Sequence, residues 1–138
     1  MIRLVLDTNV LVSGMINAFG PPGRIVDLIR EGEVELVVDD RILDEYKRVL
    51  NRPKFKNYFS AAAVRDILTF LQQNTHYVVA VTQLHGLPDP DDVPFLEVAL
   101  TAAVPLVTGN AQHFPADSRR SVDVLTPADF LRKRRTHG

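Results

Sequence analysis

The chain has no cysteine among its 138 residues, which excludes disulfides, thiolate catalysis and cysteine-ligated zinc. It has almost no net charge, −1 at pH 7, so the protein as a whole is no polycation and any affinity for nucleic acid must come from local basic patches. No stretch approaches the ~20 apolar residues that a membrane-spanning helix needs. The first apolar run is interrupted by Arg3 and closed by Asp7, which is not the pattern of a signal peptide. A cytoplasmic protein without a membrane segment is expected. Walker and dinucleotide-binding glycine patterns, internal repeats and low-complexity linkers are also missing.

What remains is an ordinary globular composition, 46% apolar and 24% charged, of a length that suits one domain over residues 1–138. Arg3 to Leu6 reads as a strand buried on both faces and ending on Asp7, with Thr8 or Asn9 capping a helix through Ile16. Gly20-Pro21-Pro22-Gly23 breaks the pattern, and a short amphipathic helix follows to Gly32. Val34–Val38 reads as the second strand. A third helix runs from about Arg41 to Asn51, capped by Asp39 or Asp40. Ser60 caps a fourth helix ending near Asn74, and Tyr77–Val81 makes the third strand. A fifth helix begins near Pro94, Pro105–Thr108 is the fourth strand and Asp123–Leu125 the last. Thr126-Pro127 starts a final helix, with the basic segment 131–138 expected to fray. Strands alternating with helices imply an α/β fold, a parallel sheet with helices on both faces.

Three acidic features stand out. Asp7 lies at the carboxyl end of the first strand, where open α/β sheets place their ligand crevice, although a helix cap is an equal reading. Glu45 shares the inward face of the third helix with Ile42 and Val49, spaced i, i+3, i+7. A carboxylate there needs a cation, a donor set or an opening to water, and a rim position is the plain alternative. Asp89, Asp91 and Asp92 precede the fifth helix. One of them explains a cap, but three exceed it unless the turn is simply acidic. Carboxylates gathered without cysteine or paired histidines suit a hard ion, Mg²⁺ or Mn²⁺. Asn110 follows the fourth strand at the same sheet edge as Asp7, as an amide ligand or as a turn residue. His113 has the chemistry of a proton shuttle, but beside Phe114 and Pro115 a structural role is the favoured reading.

The succession Leu4-Val5-Leu6-Asp7-Thr8-Asn9-Val10, Asp44-Glu45-Tyr46-Lys47-Arg48-Val49-Leu50, Asp89-Pro90-Asp91-Asp92-Val93-Pro94-Phe95-Leu96, Leu106-Val107-Thr108-Gly109-Asn110 with His113-Phe114, and Thr126 to Leu131 resembles the PIN-domain family of metal-dependent ribonucleases. The subgroup it looks like contains toxins of toxin–antitoxin pairs. The resemblance implies a three-layer domain with a five-stranded parallel sheet ordered 3-2-1-4-5, single-stranded RNA as substrate, an antitoxin partner and a homodimer. It carries the family's acids onto Asp7, Glu45 and Asp92, with Asp7 and Asp92 holding Mg²⁺ or Mn²⁺. Asn9, Ser13, Asp89, Asp91 and Asn110 fall in auxiliary positions. Asn110 departs from the pattern, since many members have a fourth aspartate there.

A substrate polyanion requires basic surface. Arg119, Arg120 and the tail with Arg132, Lys133, Arg134 and Arg135 form the principal clusters, and Lys47, Arg48, Arg52, Lys54 and Lys56 a second. Tyr58 and Phe59 serve either base stacking or the core. Two rival functions share the fold class: a non-catalytic RNA- or protein-binding module, and a phosphatase of the haloacid-dehalogenase type. The latter wants a second acid where this chain has Asn9.

Overall fold

The structure is a computed structural model that describes residues 1–137 and, beyond Arg134, the backbone alone. It alternates β1 (Ile2–Leu6), α1 (Thr8–Ile16), α2 (Pro21–Arg30), β2 (Val34–Val38), α3 (Asp40–Leu50), α4 (Ala61–Gln73), β3 (His76–Tyr77), α5 (Val93–Ala102), β4 (Leu106–Val107), β5 (Val124–Leu125) and α6 (Pro127–His137). The strands form one sheet in the order β3-β2-β1-β4-β5, with every pairing parallel. α2, with α1 and α6, covers one face, and α5, with α3 and α4, covers the other. Leu4, Val5 and Leu6 are fully buried, as an apolar run sandwiched between two helical layers requires.

Local chemistry sets the helix boundaries. The Asp39 carboxylate accepts from the Ile42 amide at the start of α3, and the Ser60 hydroxyl from the Ala63 amide at the start of α4. The Thr126 hydroxyl accepts from the Asp129 amide, with Pro127 as first residue of α6. Gly14 lets α1 and α2 meet. A Cβ there would lie 2.6 Å from Val26 Cγ2 and 2.7 Å from the Pro22 carbonyl oxygen.

The strands are shorter than the sequence suggests, and β3 shows why. Its register sets Val38 beside Tyr77, and one further bond joins the Val78 amide to the Val38 carbonyl. There β2 ends in the cap of α3, so the apolar residues Val79 and Val81 find no partner strand and are exposed. The basic segment from 131, expected to fray, continues α6 as far as His137. Gly138 and the side chain of Arg135 lie outside the described residues.

Candidate active site

The parallel register creates the site. Leu6 of β1 lies beside Val107 of β4, so the residues that follow them, Asp7 and Thr108, emerge together from adjacent strands. Strand order reverses between β1 and β4, which is where sheets of this kind open a crevice. The Asp7 amide donates to the Val107 carbonyl at 2.9 Å, and the Thr108 hydroxyl donates to Asp7 Oδ2 at 2.7 Å. That hydroxyl also accepts the Asn110 amide at 3.0 Å, fixing the turn after β4. Asp7 occupies the cap position of α1, where Thr8 or Asn9 was expected. Its side chain makes no capping bond and is held by Thr108 instead.

α3 approaches from the other side and is tied to the same junction twice. The buried Tyr46 hydroxyl donates to the Leu6 carbonyl, and the Thr8 hydroxyl donates to Glu45 Oε2. Glu45 is thus half-buried with a neutral donor, and the nearest cation, Arg48, is itself paired with Asp44. Asp92 arrives at the start of α5. It makes no capping bond, and its Oδ2 is buried without a hydrogen-bond partner. His113 Nδ1 lies 3.5 Å from that oxygen, beyond ordinary hydrogen-bond length. Asn9 Oδ1 is the second buried oxygen without a partner among the described residues.

The three carboxylates are electrostatically one group. Burial raises the pKa of Asp7, against the lowering effects of the Thr108 hydroxyl, the Thr8 and Asn9 amides and the nearby His113. Burial also raises Glu45, opposed by Thr8 and reinforced by the charge of Asp7. Asp92 is pushed up to about 6 by burial first, then by the charges of Asp7 and Asp89, opposed by His113, with a smaller contribution from Glu45. Each therefore binds its proton more tightly than in water, chiefly because burial disfavours the charged form.

The other predicted residues take varied places. The Asp89 side chain accepts from the Asp91 amide and caps the turn Pro90–Asp92, so the cap accounts for one of the three acids. Asp91 is exposed, though its charge reaches Glu45, and Ser13 is exposed on α1. Asn110 is half-buried with its backbone engaged. Arg119 donates to the carbonyls of Phe114 and Ala111, Lys133 pairs with Asp123, Arg134 with Glu33 and Arg132 with Asp129, while Arg120 is exposed.

Sequence reasoning passed over two contributors. Thr108 follows β4 as Asp7 follows β1, a symmetry visible in the sequence once the strands are aligned. Glu97 stands alone among the apolar residues of α5 and is buried. It accepts from Arg41 at 2.7 Å and from the Leu84 amide at 2.7 Å, and Arg41 also pairs with Asp39. This second node ties α3 to α5 and to the segment leading into Asp89.

Among the described residues, no three acidic or imidazole side chains stand close enough to form a ready cation cage. The donor set nevertheless fits a hard divalent ion. Its oxygens are carboxylate and amide, and two of them are buried without hydrogen-bond partners.

Comparison with known proteins bears on the family and the fold. The uncharacterized protein MJ1680 of Methanocaldococcus jannaschii is 32% identical over 110 residues, which span 79% of this chain and 71% of that protein. A chain of the crystal structure of VapBC2 from Rickettsia felis, bound to a DNA fragment from their promoter, superposes with a TM-score of 0.58. The match covers 91% of this chain and 98% of that one at 12% identity, so it speaks for the fold alone. The family model described as PIN domain matches residues 3–112, a span that includes Asp7, Glu45, Asp92 and Asn110, and the chain belongs to the PIN-domain family.

Proposed function

We propose that this PIN domain is a metal-dependent endoribonuclease that hydrolyses phosphodiester bonds in single-stranded RNA, as the toxin of a toxin–antitoxin pair. PIN domains are typically nucleases and generally depend on metal. The observation that carries the reading is the mutual coupling of Asp7, Glu45 and Asp92 at the switch point of the sheet. Asp39 and Glu97 are paired with Arg41, whereas among the described residues no lysine or arginine pairs with Asp7, Glu45 or Asp92, and only the His113 imidazole stands near Asp92.

Asp7 and Asp92 are the residues that would hold Mg²⁺ or Mn²⁺, with Asn9 Oδ1 beside them. When bound, the ion supplies charge neutralisation at the phosphodiester and lowers the pKa of water. Thr108 keeps Asp7 in one orientation through its hydroxyl. Glu45, raised in pKa and aimed by the Thr8 hydroxyl, accepts the proton of the attacking water. Asn110 stands where a further carboxylate would add negative charge and leaves the site with one charge fewer. The protein partners proposed with this function are an antitoxin and a second copy of the chain. The copy would dock through α1 and α2, where Ile16 at the end of α1 and Phe19 in the connecting turn are exposed.

The test is cleavage of a labelled single-stranded RNA with Mn²⁺ by wild type, Asp7→Asn and Asp92→Asn. Wild type should cleave and each variant should lose about 100-fold or more in rate, the scale of a removed transition-state contact. Equal rates for all three would end the proposal. Asn110 and the lack of a ready cage favour one alternative, a non-catalytic module on the same fold. Undiminished RNA binding with no Mn²⁺ uptake by calorimetry would identify it.

A further inference from the structure

We propose that a single-stranded polynucleotide crosses this protein along the exposed face of α3 and the turn at residues 52–59, with Tyr58 stacking on a base. The proposal rests on the ribonuclease reading for the identity of the strand.

Charge gives the first argument. Residues 46–65 contain six cations, Lys47, Arg48, Arg52, Lys54, Lys56 and Arg65, and no acid, while acids outnumber cations over the rest of the chain. The basic residues near the C-terminus differ in this respect. Lys133, Arg134 and Arg132 each face a carboxylate, so acids are interspersed among those cations, whereas residues 46–65 hold none. Among the described residues, Lys47, Arg52, Lys56 and Arg65 form no ion pair, and Lys54 lies over the Phe55 ring at 5.1 Å. Arg48 pairs with Asp44 on the exposed helix surface, a bond weak enough to exchange for a phosphate.

Placement gives the second. Glu45 and Arg48 lie one turn apart on α3, and Arg52 follows two residues beyond the end of the helix, so cations line the way from the acidic site to the turn after α3. Arg48 is near enough to Glu45 for its charge to lower the carboxyl's pKa. A strand bound at the carboxylates therefore meets cations next along this way. Past Arg52, Pro53–Phe55 forms a 3₁₀ turn that presents Lys54 and Lys56 outward.

The third argument separates the aromatic residues. Phe55 and Phe59 stack on each other with centroids 5.7 Å apart and pack against the core. Tyr58 between them is 60% exposed and is not part of that stack. An exposed ring among unpaired cations is what sequence-tolerant binding of single strands uses.

The test measures fluorescence anisotropy of a labelled 12-nucleotide RNA on Asp7→Asn protein in EDTA, across a salt series. Lys54→Ala with Lys56→Ala should weaken binding and reduce the slope of log K against log salt by about 1.4, two phosphate contacts at ~0.7 each. Tyr58→Ala should weaken binding about fivefold or more at all salt concentrations. Lys133→Ala with Arg134→Ala should leave the slope unchanged. A slope that falls with the Lys133 and Arg134 pair and holds with the Lys54 and Lys56 pair overturns the proposal. Binding of polyglutamate but not RNA overturns it in favour of an acidic protein ligand. RNA binding with the expected slopes by a protein that never cleaves would uphold the path while ending the nuclease reading.

Discussion

Asp92 keeps one buried oxygen without a hydrogen bond and a pKa pushed up to about 6, and both follow from its place between burial and the charges of Asp7 and Asp89. Its folded pKa exceeds the ordinary 3.8, so its contribution to stability is complete below about pH 4 and is lost as pH rises through about 6. Asp7 and Glu45, raised in the same direction, add to the same trend. In EDTA, the wild type should therefore be less stable at pH 8 than at pH 5 for this reason. Asp92→Asn should regain about 1 kcal/mol of that loss, allowing for solvent screening at a half-exposed site. Urea unfolding at the two pH values measures it, and an unchanged pH dependence in Asp92→Asn would refute the assignment. At this scale the sequence displayed the acids but not their states. Asp89, Asp91 and Asp92 look alike in sequence, and only the surroundings make the first a cap and the last an unpaired carboxylate.

α3 is the element on which the site's geometry turns. Its amphipathic spacing was readable, including the inward Glu45, because helical period and charge are local properties. Its attachment to the end of β1 was not, since Tyr46 and Leu6 lie forty positions apart in sequence. The Tyr46 hydroxyl is fully buried, with its pKa driven well above 10 by burial, so it remains a donor throughout the working range. Tyr46→Phe leaves the Leu6 carbonyl without this donor and should cost about 1–3 kcal/mol. It should also loosen Glu45 on the next residue, so that RNA cleavage falls more than stability alone accounts for at 20 °C. Thermal unfolding together with cleavage rate on the folded protein tests both parts. A Tyr46→Phe protein with native stability would show that the bond contributes nothing.

For the whole molecule, the consequence of the site is linkage between folding and a cation. A divalent ion that binds the folded state alone stabilises it by about 2.7 kcal/mol at a hundred times its dissociation constant. For a domain of this size that is a rise of roughly 10 °C in Tm, and EDTA should reverse it. The rise should be larger at pH 8 than at pH 5.5, because carboxylates with raised pKa values must lose protons before they bind metal. It should vanish in Asp7→Asn. Calorimetric scans with Mn²⁺, Mg²⁺ and EDTA provide the measurement, and an equal shift in Asp7→Asn would place the metal elsewhere. No helix among the described residues is long and apolar enough to cross a membrane.

The sequence by itself determined the alternation of strands and helices, the caps at Ser60 and Thr126, a cap of α3 at Asp39 or Asp40, and the family that the ordered acids resemble. These depend on short-range periodicity, turn chemistry and residue type, all of which are written along the chain. Tertiary structure alone decided that Thr108 orients Asp7, that Thr8 orients Glu45, and that Glu97 and Arg41 lock α5 to α3. It also decided that Arg132, Lys133 and Arg134 face carboxylates while, among the cations of residues 47–56, only Arg48 does among the described residues. Partnership and compensation are properties of distance in space. Strand register and helix packing create those distances between residues that the sequence keeps far apart.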